Sequence, residues 1–440
     1  VSAQEPTFTS RNLPAIRQDE PYCWCPEDYK VQVSFDLQGT QFTPNEYKPY
    51  SQKWEDVDKQ LLKPENTQFG EHLSLTNPFR PETKQAYNSE MNFEEKIICA
   101  FQVLKKKMAW NGRYQLYSKE LEKVIKKGSG SNADLNFILI SILKDFGLEA
   151  YPVVMSRRSS GMLPYNFPSL QKLKTFFVAI HDINKQKYVF LDSSMDVPAF
   201  NILPLELSVN KARMLSLKEK EEKKWVNVMA LSHNKSFMKI DARIEGNQVK
   251  GHRSTVLYGQ EAIEYQANEN HKQDNLVSNP ENKVSQKEKL TVTNLKVKKQ
   301  ENDWALIEEE FDFVLQADRT DDHLYINPML FPQLKSNPFI QTERVLPIEF
   351  PYPYKFTMLS TLTLPEGYEV EELPQSQSIR SEGDGLQCKY MIQQQGNTIL
   401  LNYVFHLKGY IFLSEQYKQL QELWAKVIEK NNALIVLKKI

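Results

Sequence analysis

Three side chains between positions 128 and 194 could together cleave an acyl bond. Ser131, His181 and Asp192 provide a hydroxyl, an imidazole and a carboxylate, which hydrolases use as nucleophile, general base and orienting group. Ser131 precedes a long apolar run, which predicts that it lies at the start of a helix. The N–H groups at a helix start help to bind an oxyanion. One hypothesis is therefore an active hydrolase or acyl transferase.

Helical patterns predict the elements that would position these side chains. Asn92 and Glu95 form a capping-box pair before a helix with apolar residues at helical spacing. A second helix is predicted from Ser118 to a stop at Gly128, and a third begins at Asn132. Strands are predicted at 150–156, 176–181 and 188–194. Three helices packed on an antiparallel sheet form an α+β arrangement.

The order of these elements resembles the transglutaminase-like superfamily over about residues 85–205. In that superfamily Gly-x-Cys-x-Asp begins the helix that carries the nucleophile. A histidine lies on the next long strand, and an aspartate lies on the strand after it. Gly130, Asn132 and Asp134 match the first motif, and the segment 191–194 (Leu-Asp-Ser-Ser) matches the strand end that carries the aspartate.

The resemblance implies a degenerate triad at Asn132, Phe177 and Asp192. Asn132 stands at the cysteine position and Phe177 at the histidine position, and only Asp192 is retained. An amide is a very poor nucleophile and a phenyl ring cannot accept a proton, whereas the chemistry needs a thiolate and an imidazole. The resemblance therefore implies a papain-like core in a non-catalytic protein that acts as a scaffold or recognition module. A purely structural or adhesive surface protein is the third hypothesis, beside the hydrolase that uses Ser131.

An open groove between the helix start and the sheet is a further implication of the resemblance. Asn132 at its base, with Trp110 nearby, offers hydrogen bonds and flat apolar contact, which suit a peptide or a glycan. Arg157, just after a predicted strand, could pair with a carboxylate. We therefore expect Trp110, Asn132 and Arg157 to be the ligand-binding residues.

Short motifs outside this segment resemble a narrower group of bacterial envelope proteins. The motifs are Asn-Leu-Pro-Ala at 12–15, Pro-Val-Val-Met-Ser-Arg at 152–157, Leu-Pro at 203–204, Asn-Pro-Phe at 337–339 and Pro-Glu-Gly-Tyr at 365–368. Those proteins join an N-terminal β domain of unknown function, a transglutaminase-like core and a C-terminal β domain of unknown function. The resemblance implies an exported protein of the cell envelope, periplasmic or on the surface. The predicted domains are 1–80 (remnant strands and linker), 81–205 (core), 206–335 (β-rich, with a polar insertion at 268–288) and 336–440 (β domain with one helix).

Alternating apolar residues predict mostly antiparallel β structure on both sides of the core. A strand is predicted at 29–37, and a hairpin at 237–258 turns at Gly246 and Asn247. Further strands are predicted at 290–297, 304–315, 356–364, 386–393, 398–407 and 433–437. Ser414 is the predicted cap of a final helix.

Composition excludes some classes of function. The 440 residues have a net charge of −1, which gives no electrostatic basis for binding nucleic acid. No apolar stretch approaches the roughly 18 residues that a transmembrane helix needs. The seven histidines form no metal-ligand pair and the four cysteines form no zinc motif. We therefore expect no metal, no cofactor and no transmembrane segment in this chain.

Overall fold

A computed structural model gives the fold of the chain. It describes residues 7, 9–13, 15–17, 20–33, 39–43, 46–49, 53–63, 68–231, 233–266, 290–300 and 303–440. The described residues contain both helices and largely antiparallel sheets, which confirms the predicted α+β class. The polar insertion predicted at 268–288 lies outside the described residues.

Most helices of the described residues lie before residue 146. In chain order the helices are α1 (Trp54–Leu62), α2 (Gln68–Leu73), α3 (Arg80–Ala86), α4 (Phe93–Lys107), α5 (Leu121–Lys127), α6 (Asn132–Asp145), α7 (Glu221–Lys224), α8 (260–266) and α9 (Tyr417–Asn431). The capping box before α4 is confirmed, because the Glu95 N–H donates to Asn92 Oδ1 at 3.0 Å and the Asn92 N–H donates to the Glu95 carboxylate at 2.8 Å. The second predicted helix begins at Leu121 rather than Ser118. It ends at Gly128, whose φ of +71° suits glycine.

Strands dominate the second half of the chain. In the first half they are β1 (Gly39–Thr43), β2 (Glu46–Pro49), β3 (Ala109–Trp110), β4 (Ser129–Gly130), β5 (Glu149–Met155), β6 (Thr175–Asp182), β7 (Lys187–Leu191), β8 (Ala212–Met214) and β9 (Trp225–Val226). In the second half they are β10 (Asn234–Glu245), β11 (Gln248–Tyr258), β12 (Leu290–Gln300), β13 (Asp303–Gln316), β14 (Asp318–Thr320), β15 (His323–Ile326), β16 (Ile348–Glu349), β17 (Tyr354–Thr363), β18 (Tyr368–Glu372), β19 (Gln377–Arg380), β20 (Leu386–Gln395), β21 (Thr398–Leu407), β22 (Ile411–Phe412) and β23 (Ile435–Lys439).

Helix α6 is the centre of the first hydrophobic core. Its residues from 132 to 143 are all buried, as expected of a helix that is apolar around most of its circumference. It covers one face of an antiparallel sheet with strand order β7-β6-β5-β8-β9, and the rings of Phe137 and Phe176 meet across that contact at 4.7 Å. Helices α1 and α2 contribute Val57 and Phe69 to the same core. This unit therefore extends beyond the predicted limits 81–205 at both ends.

The second half of the chain forms an eight-stranded sheet with the strand order β12-β13-β11-β10-β17-β21-β20-β19. The predicted hairpin is confirmed, with β10 and β11 joined at Gly246. All its pairings are antiparallel except β10 with β17, which run parallel. The sheet takes strands from both sides of the predicted boundary at residue 335, and one hydrophobic core serves them all.

The final helix packs on this sheet as its apolar spacing predicts. Tyr417, Leu420, Trp424 and Val427 are all buried, and the Trp424 ring lies 5.6 Å from that of a phenylalanine in the segment before β17. The predicted cap at Ser414 is wrong. Residues 414–416 form a 3₁₀ turn, and α9 begins only after it.

The strand predicted at 29–37 is also wrong where the structure describes it. Pro26–Tyr29 is a 3₁₀ turn and residues 30–33 are irregular, while 34–38 lie outside the described residues. The Tyr29 hydroxyl donates to Glu349 Oε1 at 3.0 Å and the Trp24 N–H donates to Glu349 Oε2 at 2.9 Å. These tertiary contacts replace the strand pairing that the alternation predicts.

Candidate functional site

Hydrogen bonds within the first turn of α6 stabilise the start of this helix. Ser131 caps the helix, because its side chain accepts from the Asp134 N–H at 3.3 Å. The Asp134 carboxylate accepts from the Ser131 N–H at 2.8 Å and from the Ser131 hydroxyl at 2.7 Å. This capping box confirms that the helix begins at Asn132.

The side chain of Asn132 is completely buried and hydrogen-bonded on both sides of its amide. Its Nδ2 lies 2.7 Å from Thr175 Oγ1, 3.0 Å from the Phe176 carbonyl oxygen and 3.3 Å from Asp192 Oδ2. Because an amide has two hydrogens, it serves two of these three acceptors at a time. Its Oδ1 accepts from the Gln115 N–H and from the Thr175 hydroxyl, each at 3.0 Å. Asn132 thus joins the starts of α6 and β6.

Asp192 completes this group just after β7. Its Oδ2 accepts from Asn136 Nδ2 at 2.9 Å as well as from Asn132, and its Oδ1 accepts from the N–H (2.9 Å) and the hydroxyl of Ser194. Burial raises the pKa of Asp192, and these hydrogen bonds oppose the rise because they stabilise the ionised form. The carboxylate is therefore held by amides and a hydroxyl, with no imidazole among its hydrogen-bond partners in the described residues.

Phe177 does not belong to this group, and its predicted contact with Asn132 is wrong. Successive residues of a strand point to opposite faces of the sheet. Phe176 faces α6, whereas Phe177 packs on the other face, with its ring 5.9 Å from that of Phe190. The side chain that meets Asn132 is that of Thr175, the first residue of β6.

The alternative set of Ser131, His181 and Asp192 is not brought together. The Ser131 hydroxyl is buried and donates to Asp134. His181 lies six residues after Thr175 on β6, about 20 Å along the strand. Its Nδ1 is 3.5 Å from a Glu149 carboxylate oxygen. The imidazole therefore has a different partner at the far end of the sheet.

The predicted ligand-binding residues do not form one accessible surface. Asn132 has no exposed area, so the open groove predicted over it is wrong. The half-buried Trp110 donates from Nε1 to the Arg113 carbonyl oxygen at 3.1 Å and packs on Tyr114 at 5.1 Å. A guanidinium nitrogen of Arg157 lies 3.8 Å from a carboxylate oxygen of Glu206, so Arg157 already has a carboxylate partner within the protein. The loop that includes Gln115 covers Asn132, because Gln115 N–H donates directly to it.

Sequence reasoning missed Thr175, Asn136 and Ser194. Asn136 follows Asn132 by four residues, a spacing that places both side chains on one face of a helix. Two amides on one face of an otherwise apolar helix indicate a buried hydrogen-bond partner, and this signal points to Asn136. Thr175 gives no comparable signal, since a threonine at the start of a strand is ordinary.

Buried and half-buried thiols elsewhere in the chain are poorly ionised. Burial raises the pKa of Cys23 to about 12 and that of Cys388 to about 11, and it also raises the pKa values of Cys25 and Cys99. A nucleophilic cysteine needs the opposite environment, in which its pKa is lowered.

Within the described ranges, no helix has both the length and the apolar character to cross a bilayer. No cluster of three or more histidine, cysteine, aspartate or glutamate side chains in those ranges is placed to hold a metal ion.

Comparisons with known proteins bear on two parts of this architecture. Residues 322–437 match a family described as "Domain of Unknown Function with solved-structure structure (DUF3858)". A similar solved structure is a "putative protease" from Parabacteroides distasonis, with a TM-score of 0.50 and 12% identity over 84% of this chain. At that identity the similarity concerns the fold alone. The chain spans 57% of the length of that protein. No curated protein matches the sequence.

Proposed function

We propose that this chain is a non-catalytic, transglutaminase-like protein whose helix–sheet unit is a scaffold. The observation that carries the proposal is the buried group of Asn132, Thr175 and Asp192. In the superfamily that the sequence resembles, a thiol, an imidazole and a carboxylate occupy the helix start and the two strands. We assign the histidine position to Thr175 instead of Phe177, because Thr175 meets Asn132.

The side chains in this group favour a structural role over acyl transfer. An asparagine amide has no group that ionises near neutral pH, and a threonine hydroxyl cannot act as a general base there. All hydrogen-bonding atoms of Asn132 have partners within the protein. Each such bond contributes about 1 kcal/mol, so the group stabilises the unit by holding α6, β6 and the end of β7 together.

Similarity to known folds supports the ancestry that this proposal assumes. The neighbour described as a "putative protease" shares the fold of most of this chain. The family match at 322–437 covers most of the C-terminal β domain of unknown function predicted at 336–440, and it begins 14 residues before that domain. We infer that a hydrolytic ancestor is the origin of the α6 unit and that its thiol and imidazole were replaced.

Contacts between the α6 unit and the C-terminal region support the scaffold role. Arg158, just after β5, is buried and donates to the carbonyl oxygens of Phe350 at 2.8 Å and Pro351 at 2.9 Å. Its guanidinium lies 4.0 Å from the centre of the Trp24 ring. The Trp24 indole in turn donates to the Glu349 carbonyl oxygen at 3.0 Å. One buried arginine thus ties the N-terminal segment, the α6 unit and the C-terminal region together.

Activity assays on the full chain test the absence of catalysis. The chain is incubated with a glutamine-bearing peptide and a fluorescent amine, and separately with a fluorogenic peptide amide. We expect no product above a protein-free control in either assay. Turnover that disappears in Ser131→Ala or His181→Ala, but persists in the surface variant Lys389→Ala, would overturn the proposal in favour of the alternative hydrolase.

We also propose that the protein acts in the bacterial cell envelope, on the basis of the short flanking motifs. Fractionation of the producing bacterium with an antibody to this chain tests the location. Recovery with periplasmic or surface proteins is expected. Recovery with cytosolic markers would contradict an envelope role but leave the assignment of the α6 unit unaffected.

A further inference from the structure

A cavity of about 280 Å³ lies beside the eight-stranded sheet, away from Asn132 and its partners. Its lining includes Phe356 of β17, Phe405 of β21, Trp424 of α9 and Glu261 of α8. Most of the other lining side chains are also aromatic. The volume is close to the lower end of the range for small-molecule sites, about 300–1,000 Å³.

The aromatic rings of this pocket support one another. Trp424 stacks on Phe350, with ring centres 5.6 Å apart and an angle of 11° between the planes. The Phe405 ring meets Trp424 edge to face at 5.5 Å, and Phe356 packs on Tyr403 at 5.9 Å. Rings held in this way keep their faces in fixed positions, so a ligand would enter a preformed site at little cost in ordering.

The electrostatic character of the pocket is negative. Glu261 is the only ionisable acid or base other than tyrosine among the described residues that line it, and none of them is basic. Burial raises the pKa of Glu261, although Tyr354 and Ser236 donate hydrogen bonds to its carboxylate. Aromatic faces carry partial negative charge as well. A bound anion would therefore be repelled, whereas a cation would offset the desolvation of the carboxylate.

We propose that this pocket binds a small organic cation, an alkylated ammonium. The ammonium lies against the aromatic side chains with Glu261 as its counter-ion. A neutral apolar ligand would contact the rings but leave the carboxylate without a counter-ion. This binding function is independent of the proposed lack of catalysis at Asn132.

Choline is the probe, and its neutral isostere, in which a tert-butyl group replaces the trimethylammonium group, is the matched control. Both are titrated into the full chain at pH 8, and binding is followed by NMR. We expect choline to bind with a dissociation constant of about 1 mM or tighter. The isostere should bind about tenfold more weakly, because it lacks the charge.

Glu261→Gln removes the charge and nearly keeps the shape of the side chain. Choline should then bind about tenfold more weakly, while the isostere is unaffected. Glu308→Gln, at a half-buried carboxylate that faces Lys298 at 3.5 Å, is the control and should leave both affinities unchanged. The proposal is overturned if choline binds the wild-type chain no better than the isostere does. It is also overturned if Glu261→Gln, verified as folded by circular dichroism, binds choline as tightly as the wild type.

Discussion

Replacement of Asn132 by aspartate tests the buried group directly. The two side chains have nearly the same shape, so packing is preserved. The substitution exchanges an amide that donates to Thr175 and to the Phe176 carbonyl for a carboxylate. The new carboxylate lies about 3.3 Å from Asp192 Oδ2, at the position of the present amide. Two buried carboxylates at this separation cannot both be ionised.

The size of the effect follows from the burial of Asn132 and Asp192. A carboxyl group buried beside another typically has its pKa raised by roughly three to five units. Each unit corresponds to about 1.4 kcal/mol. Asn132→Asp should therefore lower the free energy of unfolding by about 4 kcal/mol or more at pH 8. The loss of the donated hydrogen bonds adds about 1 kcal/mol for each acceptor left unpaired.

The destabilisation caused by Asn132→Asp should grow as the pH rises. The pair has a folded-state pKa above the unfolded value of about 3.9, so the folded variant keeps a proton that the unfolded chain loses. Stability relative to wild type is then greatest below about pH 4 and falls by about 1.4 kcal/mol per unit as pH rises toward the folded-state pKa. Urea unfolding of both chains at pH 5 and pH 8 measures this difference.

Two control variants separate this effect from simpler ones. Asn132→Ala loses the hydrogen bonds without adding a charge, so its cost should be nearly the same at both pH values. Asn88→Asp makes the same exchange at an exposed position and should change stability by less than about 0.5 kcal/mol. The reasoning is refuted if Asn132→Asp is as stable as wild type at pH 8, or if its cost does not grow between pH 5 and pH 8.

Three further substitutions or treatments test other parts of the structure. Arg158→Met should lower the free energy of unfolding in urea by about 2–4 kcal/mol, because two carbonyl oxygens lose a charged donor. An unchanged midpoint of urea unfolding would contradict this. Asp58→Asn should lower the free energy of unfolding by about 3–5 kcal/mol, because it leaves the Arg213 guanidinium without its buried carboxylate partner. Glu221→Gln removes the more exposed carboxylate partner of Arg213 and should lower the free energy of unfolding by less. Cys23, with its pKa raised to about 12, should react with iodoacetamide at pH 7.5 far more slowly than free cysteine in mass spectrometry, and fast labelling would refute its burial.

Local patterns in the sequence predict much of the unit around α6. The capping residues Asn92 and Glu95 and the stop at Gly128 act within one turn of their own helices, so the sequence carries their full signal. The same holds for the start of α6 and for the hairpin at Gly246. Position along a strand is harder to predict, because residues on one face recur at every second position. Phe177 and Thr175 are two residues apart, and it is Thr175, at the start of β6, that lies within hydrogen-bond distance of Asn132.

Long-range contacts account for the remaining differences. The closed site over Asn132 depends on the Gln115 backbone, 17 residues earlier in the chain. The eight-stranded sheet depends on the parallel pairing of β10 with β17, which joins segments more than 100 residues apart. Nothing in the local pattern of either segment specifies its partner, so the predicted boundary at residue 335 divides a region that shares one sheet.

The buried carboxylate of Asp192 has a stabilising role that does not require catalysis. A buried carboxylate without partners would destabilise the fold by several kcal/mol. In a catalytic triad an imidazole and neighbouring donors satisfy this group, whereas here two amides on one face of α6 donate to the same oxygen. Under the ancestry proposed above, Asn132 stands in place of the thiol and, together with Asn136, provides the hydrogen bonds that an imidazole would give to Asp192. Loss of Asp192 would remove one acceptor from each amide and the partner of the Ser194 N–H, so the carboxylate stabilises the unit without any catalytic role.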